Sequence, residues 1–187
     1  AATTSALAKL SQAYCRLVGG DVARAETQFR DCVEALSELH LDPELRQAYN
    51  GLGVARYCLG KMNGSIEAFE SAIELAGRIG DSVAAATAWS NVGAVHEDLG
   101  DFERSNECYD RALELCEITT NPRRAVECHL NAAGLRVIAG DLERAAELLE
   151  AAAHWAEMSQ LWWLVAEVLL AQADFQLASR RTERAWK

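Results

Sequence analysis

The chain has 187 residues and a formal net charge of -10, and half of its residues are apolar. This length and composition allow one sizeable folded domain or a short repeat array. The small number of prolines, two, and the absence of a low-complexity tract argue against disorder. The acidic charge disfavours direct binding to the phosphates of nucleic acids, and no run of eighteen apolar residues predicts a helix that spans a membrane.

The predicted elements recur along the chain with a period of 40 residues. Similar segments begin at Gly20 (GDVARAETQF), Gly60 (GKMNGSIEAF), Gly100 (GDFERSNECY) and Gly140 (GDLERAAELL), and Arg180 opens a fifth, RRTERAWK. Each segment, and the one before it, carries small or apolar residues at the spacing of one helix face. Each unit is therefore predicted to be a helix, a tight turn and a second helix, followed by a longer link.

Glycines and capping residues predict where these helices end and begin. A glycine at the start of each segment suits the left-handed residue that ends a helix. Pro43 and Pro122 fit the first helical position, directly after a capping residue. The candidate caps are Asp21, Asp42, Asp81 or Ser82, Asp101, Asn121, Asp141 and Ser159.

The units resemble tetratricopeptide repeats, as two of them show best. The residues that match the family pattern there are Tyr49, Leu52, Gly53, Gly60, Phe69 and Ala72, then Trp89, Gly93, Gly100, Tyr109 and Ala112. A period of 40 instead of the commoner 34 implies longer helices or linkers. In this period the chain resembles kinesin light chains, Rap-type bacterial peptide sensors and sensor regions of large bacterial transcription activators.

The resemblance implies an all-α fold, a right-handed superhelix of antiparallel helix hairpins. We expect a single domain with about four full repeats and a partial fifth, in a fragment of a longer protein. The expected units span approximately residues 1–41, 42–80, 81–120, 121–158 and 159–187.

In this family the first helix of each unit lines a concave groove that binds a protein or peptide. Carrying the family's groove positions over to this chain predicts a lining of Leu10, Tyr14, Asn50, Val54, Tyr57, Asn91, Ala94, Glu97, Asp98, Glu127, Asn131 and Gly134. The same positions also include Leu130, Val137, Ala171 and Asp174. The asparagines can either bond the backbone of an extended peptide or satisfy polar groups between repeats.

The predicted groove contains no lysine or arginine, which excludes the family's clamp for a C-terminal carboxylate. Its lining is apolar at the N-terminal end and acidic from Glu97 onward. A peptide with hydrophobic and basic residues is the better match, although the acidic positions can also form a plain solvated helix face.

Where the family has a tyrosine in the first helix, the units carry Arg16, Arg56, His96, Arg136 and Gln176. We expect these side chains to lie partly between helices with their apolar stems packed. A functional basic column is the alternative.

No motif for catalysis, a cofactor or a metal is present, because the four histidines are scattered and no two of the six cysteines form a CxxC pair. We expect no enzymatic activity and no cofactor. We expect the cysteines to be buried thiols of a cytoplasmic protein.

Abundant arginine and alanine favour a GC-rich bacterial source. The expected function is that of a protein- or peptide-binding regulatory or sensor module in a larger signalling or transcriptional regulator, without direct contact to nucleic acid or membrane. The alternatives are a stand-alone adaptor and a self-association module. Trp155, Trp162 and Trp163 form core or, if exposed, mark a homodimer contact through the end repeats.

Overall fold

The computed structural model describes residues 2–119 and 121–185, with side chains described as far as residue 179. Within this part the chain forms nine α-helices and no strand, as the sequence predicts. The helices are α1 Ala2–Val18, α2 Val22–Glu38, α3 Asp42–Cys58, α4 Met62–Ile79, α5 Ser82–Asp98, α6 Phe102–Ile118, α7 Pro122–Ala139, α8 Leu142–Ser159 and α9 Trp162–Ala185.

The links between units are as short as the turns within them, so the predicted longer link is wrong. Residues 39–41 join α2 to α3, and residues 19–21 join α1 to α2. The extra length of the 40-residue period therefore lies in the helices, which have 17 or 18 residues from α1 to α8.

Left-handed residues mark the breaks between helices, except the break between α6 and α7, where Thr119 is extended. The predicted glycines at 20, 60, 100 and 140 all have positive φ, from 71° to 84°. Gly80, His40 and Gln160 adopt the same conformation in links between units, with φ of 72°, 53° and 57°. Helices of nearly equal length thus alternate direction about every 20 residues.

Most predicted caps are present, and two are wrong. The side chains of Asp81, Asp101, Asn121 and Asp141 each accept a hydrogen bond from a backbone N–H in the first turn that follows, whereas Asp21 holds the capping position without such a bond.

Asp42 is not a cap but the first residue of α3, where its carboxylate pairs with Arg78 at 2.9 Å. Ser159 ends α8 instead of capping α9, because Gln160 turns left-handed directly after it. At residue 180, where a fifth turn is expected, the backbone remains helical to Ala185. An arginine there lacks the tolerance of glycine for the left-handed turn, and the side chains of the predicted RRTERAWK segment lie outside the described residues.

The two helices of a hairpin meet through a close contact that recurs in successive units. In the second unit the Ser65 hydroxyl donates to the carbonyl of Gly53 at 2.8 Å, and a Cβ atom on Gly53 would lie 2.5 Å from the Phe69 ring. Ser105, Gly93 and Tyr109 repeat this arrangement, with a hydrogen bond of 2.9 Å and a Cβ distance of 2.7 Å. The glycine therefore allows the aromatic ring to pack directly on the backbone.

The first and fourth units replace this contact by apolar packing. Their equivalent residues, all buried, are Ala13, Ala25 and Phe29, and Ala133, Ala145 and Leu149. Serine is thus present where its hydroxyl has a glycine carbonyl to bond, and alanine where the facing residue is itself alanine.

Four of the five side chains that replace the family's tyrosine are half-buried or buried, as expected, whereas that of Gln176 is exposed. Arg56 donates to the carbonyl of Gly64 at 2.9 Å and pairs with Glu26 at 3.5 Å. His96 is buried and Arg136 is half-buried. Within the described part, no helix is both long and apolar enough to cross a membrane.

Replacing Gly93 by alanine should lower the free energy of unfolding by about 1–3 kcal/mol, because the added methyl group would overlap the Tyr109 ring. The matched control is Gly134→Ala in the first helix of the next unit, where a Cβ meets nothing within 4 Å. That change should stabilise the protein by up to about 1 kcal/mol through helix propensity. Urea unfolding followed by circular dichroism measures both, and equal effects would contradict the close contact.

Candidate functional site

The odd-numbered helices form the inner face of the stack. Consecutive odd-numbered helices, from α1 to α9, contact one another, whereas consecutive even-numbered helices make no such contact within the described residues. The layer of odd-numbered helices is therefore the narrower one, and the stack is concave on that side. The first helices of the units line this face, as the resemblance to repeat proteins implies.

A central cavity of about 290 Å³ opens on the concave face between α3, α5 and α7. Its walls combine two carboxylates and two phenols with small and apolar side chains. The lining residues are Tyr57, Ala94, Glu97, Asp98, Tyr109, Leu130, Asn131 and Gly134. All except Tyr109 stand at positions that the sequence assigns to the groove, although their role in binding stays a prediction.

Two tyrosines bind the two carboxylates of this cavity. The Tyr57 hydroxyl donates to Asp98 at 2.5 Å, and the Tyr109 hydroxyl donates to Glu97 at 2.9 Å. The hydrogen bond to Asp98 is the main cause that raises the pKa of Tyr57 to about 12. Burial, together with the charge of Glu97, raises the pKa of Tyr109. Both phenols therefore stay protonated and keep donating at neutral pH.

The charges of Glu97 and Asp98 are not compensated by a basic side chain. Neither carboxylate forms an ion pair with any lysine, arginine or histidine that the structure describes. Both lie in the last turn of α5, which ends at Asp98. The carboxyl end of a helix carries partial negative charge, so this point of the groove favours a bound cation.

Glu127 does not extend this acidic surface, contrary to the sequence-based expectation. It pairs with Arg123 at 2.9 Å and also with Arg124, both in the preceding turn of α7. The Arg123 guanidinium lies 5.3 Å from the ring centre of Trp163. Because an (i, i+3) or (i, i+4) spacing brings these side chains together on one helix face, two arginines offset the charge of Glu127.

The three asparagines form bonds between neighbouring repeats. The Asn91 amide donates to Asn50 at 3.3 Å, and the Asn131 amide donates to the Ser90 hydroxyl at 2.9 Å. These contacts agree with the second of the two roles considered for the asparagines, which is to satisfy polar groups between repeats. The side-chain amide oxygen of Asn131 makes no hydrogen bond within the described part. It can therefore accept a hydrogen bond from the backbone of a ligand.

The predicted N-terminal part of the groove is mostly used for packing. Leu10 is buried in the core between α1 and α2 and is not offered to a ligand. Tyr14 packs edge-on against Phe29 with ring centres 4.9 Å apart, and its hydroxyl donates to the carbonyl of Gln47 at 2.7 Å. Val54 is half-buried against the neighbouring core. The concentration of open groove around α5 and α7 is a result of tertiary packing.

A second cavity of about 380 Å³ lies beside the first, between α7 and α9. It is mostly apolar and is lined by Leu130, Ala133, Gly134, Val137, Leu149, Ala171, Asp174, Phe175 and Ala178. The sequence-based groove does not include Ala133, Leu149, Phe175 or Tyr109, because only the family's groove positions on the first helix of each unit were carried over. The signal for Tyr109 is the hydroxyl that Phe29, Phe69 and Leu149 lack at the equivalent positions.

The tryptophans at the fourth-to-fifth unit junction divide between the predicted roles. Trp155 and Trp163 are half-buried against the core formed by α7, α8 and α9. Trp162 is 80% exposed. Four of the six cysteines, Cys32, Cys108, Cys116 and Cys128, are buried as free thiols, whereas Cys15 and Cys58 are exposed, so the expectation is wrong for these two. No group of three or more potential metal ligands occurs among the described residues.

Stacked antiparallel hairpins with a concave face define a helical-repeat protein of the protein-interaction class. Residues 84–153 match the family model of the tetratricopeptide repeat. The 40-residue hairpin units on either side of this match are consistent with the tetratricopeptide-repeat family.

Solved structures of repeat proteins share this fold. BtubC (BKLC) from P. vanneervenii is 25% identical with a TM-score of 0.67, and the match covers 92% of this chain and 75% of that one. The TPR domain of Arabidopsis FLU is 21% identical with a TM-score of 0.60, over 64% of this chain and 100% of that domain.

Aspartyl phosphate phosphatase F from Bacillus subtilis has a TM-score of 0.86 at 13% identity. That match covers 96% of this chain but 47% of the phosphatase, so the likeness concerns the fold of about half of that protein. A search of curated proteins finds no significant sequence match.

Replacing Asp98 by asparagine should lower the pKa of Tyr57 from about 12 toward its usual value, because the carboxylate that disfavours the phenolate is removed. The phenolate absorbance during alkaline titration measures this shift. The difference between each protein and its Tyr57→Phe variant isolates the Tyr57 transition. An unchanged transition would contradict the bond between Tyr57 and Asp98.

Proposed function

We propose that the concave face binds an extended segment of a partner protein that carries basic and apolar side chains. The observation that supports this most directly is the cavity with the uncompensated carboxylates of Glu97 and Asp98. A lysine or arginine side chain would supply the missing positive charge through charge-assisted hydrogen bonds.

The charge of the groove also narrows the class of partner. A C-terminal carboxylate or a phosphate group would meet two carboxylates and the helix end of α5, which repel it. The net charge of -10 acts in the same direction on nucleic acid at longer range. The Asn131 amide, at the edge of the same cavity, is suited to bond the backbone of the bound segment.

We further propose that the chain is a non-enzymatic regulatory or sensor module of a larger bacterial regulator in the cytoplasm. The buried free thiols suit a reducing compartment. The match to about half of a larger bacterial phosphatase is consistent with a repeat module that serves a larger protein. A stand-alone adaptor is the alternative. A nucleotide-binding or helix-turn-helix module encoded in the same gene would favour the regulator, and a gene that encodes only repeats would favour the adaptor.

Peptides selected from a random ten-residue display library on the intact chain should bind the groove. The double variant Glu97→Gln with Asp98→Asn should weaken the selected peptides about tenfold or more, since charge-assisted hydrogen bonds to the ligand are lost. Fluorescence anisotropy with a labelled selected peptide measures the affinity, which should also fall with added salt.

The matched control changes two exposed carboxylates outside the cavity by the same total charge, as Glu103→Gln with Glu107→Gln on α6. This variant should bind nearly as the parent does. Equal weakening by both double variants would reduce the effect to net charge and contradict the groove assignment.

A second candidate function is self-association through α9. One stripe of this helix exposes large apolar side chains, namely Trp162, Leu169, Leu170 and Leu177, each at least 57% exposed. Exposed apolar patches of this kind are typical of interaction sites.

If α9 mediates self-association, light scattering should show a mass that rises with concentration, and Leu169→Lys with Leu177→Lys should abolish the rise by placing charge in the contact. A mass equal to that of one chain at all concentrations would rule this candidate out.

A further inference from the structure

The two cavities of the concave face are neighbours that share one wall. Leu130 and Gly134 line both of them, and these residues lie one helical turn apart on α7. The first cavity lies on the α5 side of this helix, and the second lies on the α9 side. A bound peptide that crosses α7 would therefore pass from one cavity directly to the other.

The two cavities differ in chemistry. Glu97 and Asp98 make the first one anionic, and each uses one carboxylate oxygen for a tyrosine hydroxyl. The other oxygen of each carboxylate remains available to a ligand cation. The second cavity is lined mainly by apolar side chains, including those of Val137 and Phe175, with one carboxylate, that of Asp174. Its apolar walls suit a large aliphatic or aromatic side chain.

We propose that these cavities form a two-pocket site that reads a lysine or arginine together with a large apolar side chain two or three positions away in the bound segment. This inference rests on the proposed function and adds the sequence rule of the ligand. The spacing follows from the packing, because adjacent helices lie about 8–10 Å apart. Side chains two positions apart point to the same side of an extended strand, about 6.6 Å apart, and side chains three positions apart do so in a polyproline II segment, about 9.3 Å apart.

Gly134 keeps the passage between the pockets open. A Cβ atom on this residue would meet nothing within 4 Å, and the residue is exposed in the middle of α7. A longer side chain there would project into the space that both cavities share without displacing any packed atom. The position thus allows the site to be blocked while the fold is left intact.

The sequences of the peptides selected on the intact chain test the two-pocket rule. The selection should enrich a lysine or arginine paired with a large apolar residue two or three positions away. Peptides that bind the groove without this pairing would overturn the two-pocket site and leave the proposed function standing. A selection that enriches no peptide would overturn both.

Two variants then test the assignment of the pockets. Gly134→Gln should weaken the best selected peptide about tenfold or more by blocking the shared space. Gly77→Gln is the matched control, since Gly77 is also helical, exposed and free of neighbours within 4 Å, but lies on α4 outside both cavities. Equal affinities of the two variants would overturn the two-pocket site. Circular dichroism confirms that both remain folded.

In the Glu97→Gln, Asp98→Asn double variant, selection should lose the preference for lysine or arginine and keep the preference for the apolar residue. Retained preference for the basic residue would place the cation elsewhere and overturn the assignment of the first pocket.

Discussion

The close contact between the two helices of a hairpin is the constraint on which the rest of the structure depends. In the third unit Gly93 has no side chain to hold α6 away, and the Ser105 hydroxyl satisfies its carbonyl in the buried interface. The Tyr109 ring packs on the same backbone, and its hydroxyl reaches Glu97. One packing contact thus both closes the hairpin and places a hydrogen-bond donor in the groove. Because the Tyr109 ring is rigid, packing its edge against Gly93 also fixes where its hydroxyl lies.

The concave face follows from this contact and from the regular breaks in the chain. Breaks recur about every 20 residues, most of them at a left-handed residue, so helices of 17 or 18 residues lie antiparallel with little loop between them. Consecutive odd-numbered helices contact one another, whereas consecutive even-numbered helices do not within the described residues. The odd-numbered helices therefore form the concave side of the stack, and side chains from α3, α5 and α7 line one cavity there.

The two carboxylates of the groove are held by hydrogen bonds and have no basic partner among the described residues. Some other acidic residues form ion pairs with arginine, as Glu127 does on α7 and Asp42 does with Arg78. Glu97 and Asp98 instead accept hydrogen bonds from neutral phenols, which hold the carboxylates in place without cancelling their charge. A surface of this kind attracts cations, and the apolar cavity on the other side of α7 adds a second, non-electrostatic contribution.

The sequence by itself determined the all-α hairpin architecture, the 40-residue period and the helix ends at Gly20, Gly60, Gly100 and Gly140, because helix periodicity and left-handed glycines are local properties. The resemblance to tetratricopeptide repeats also indicated most residues that line the central cavity, because the family's groove positions carry over to each unit of this chain. Only the tertiary structure decided that Leu10 belongs to the core, that two arginines compensate Glu127 and that Tyr109 joins the groove. Those outcomes depend on how neighbouring helices pack and on which side chains then meet, and a periodic pattern does not encode these distances.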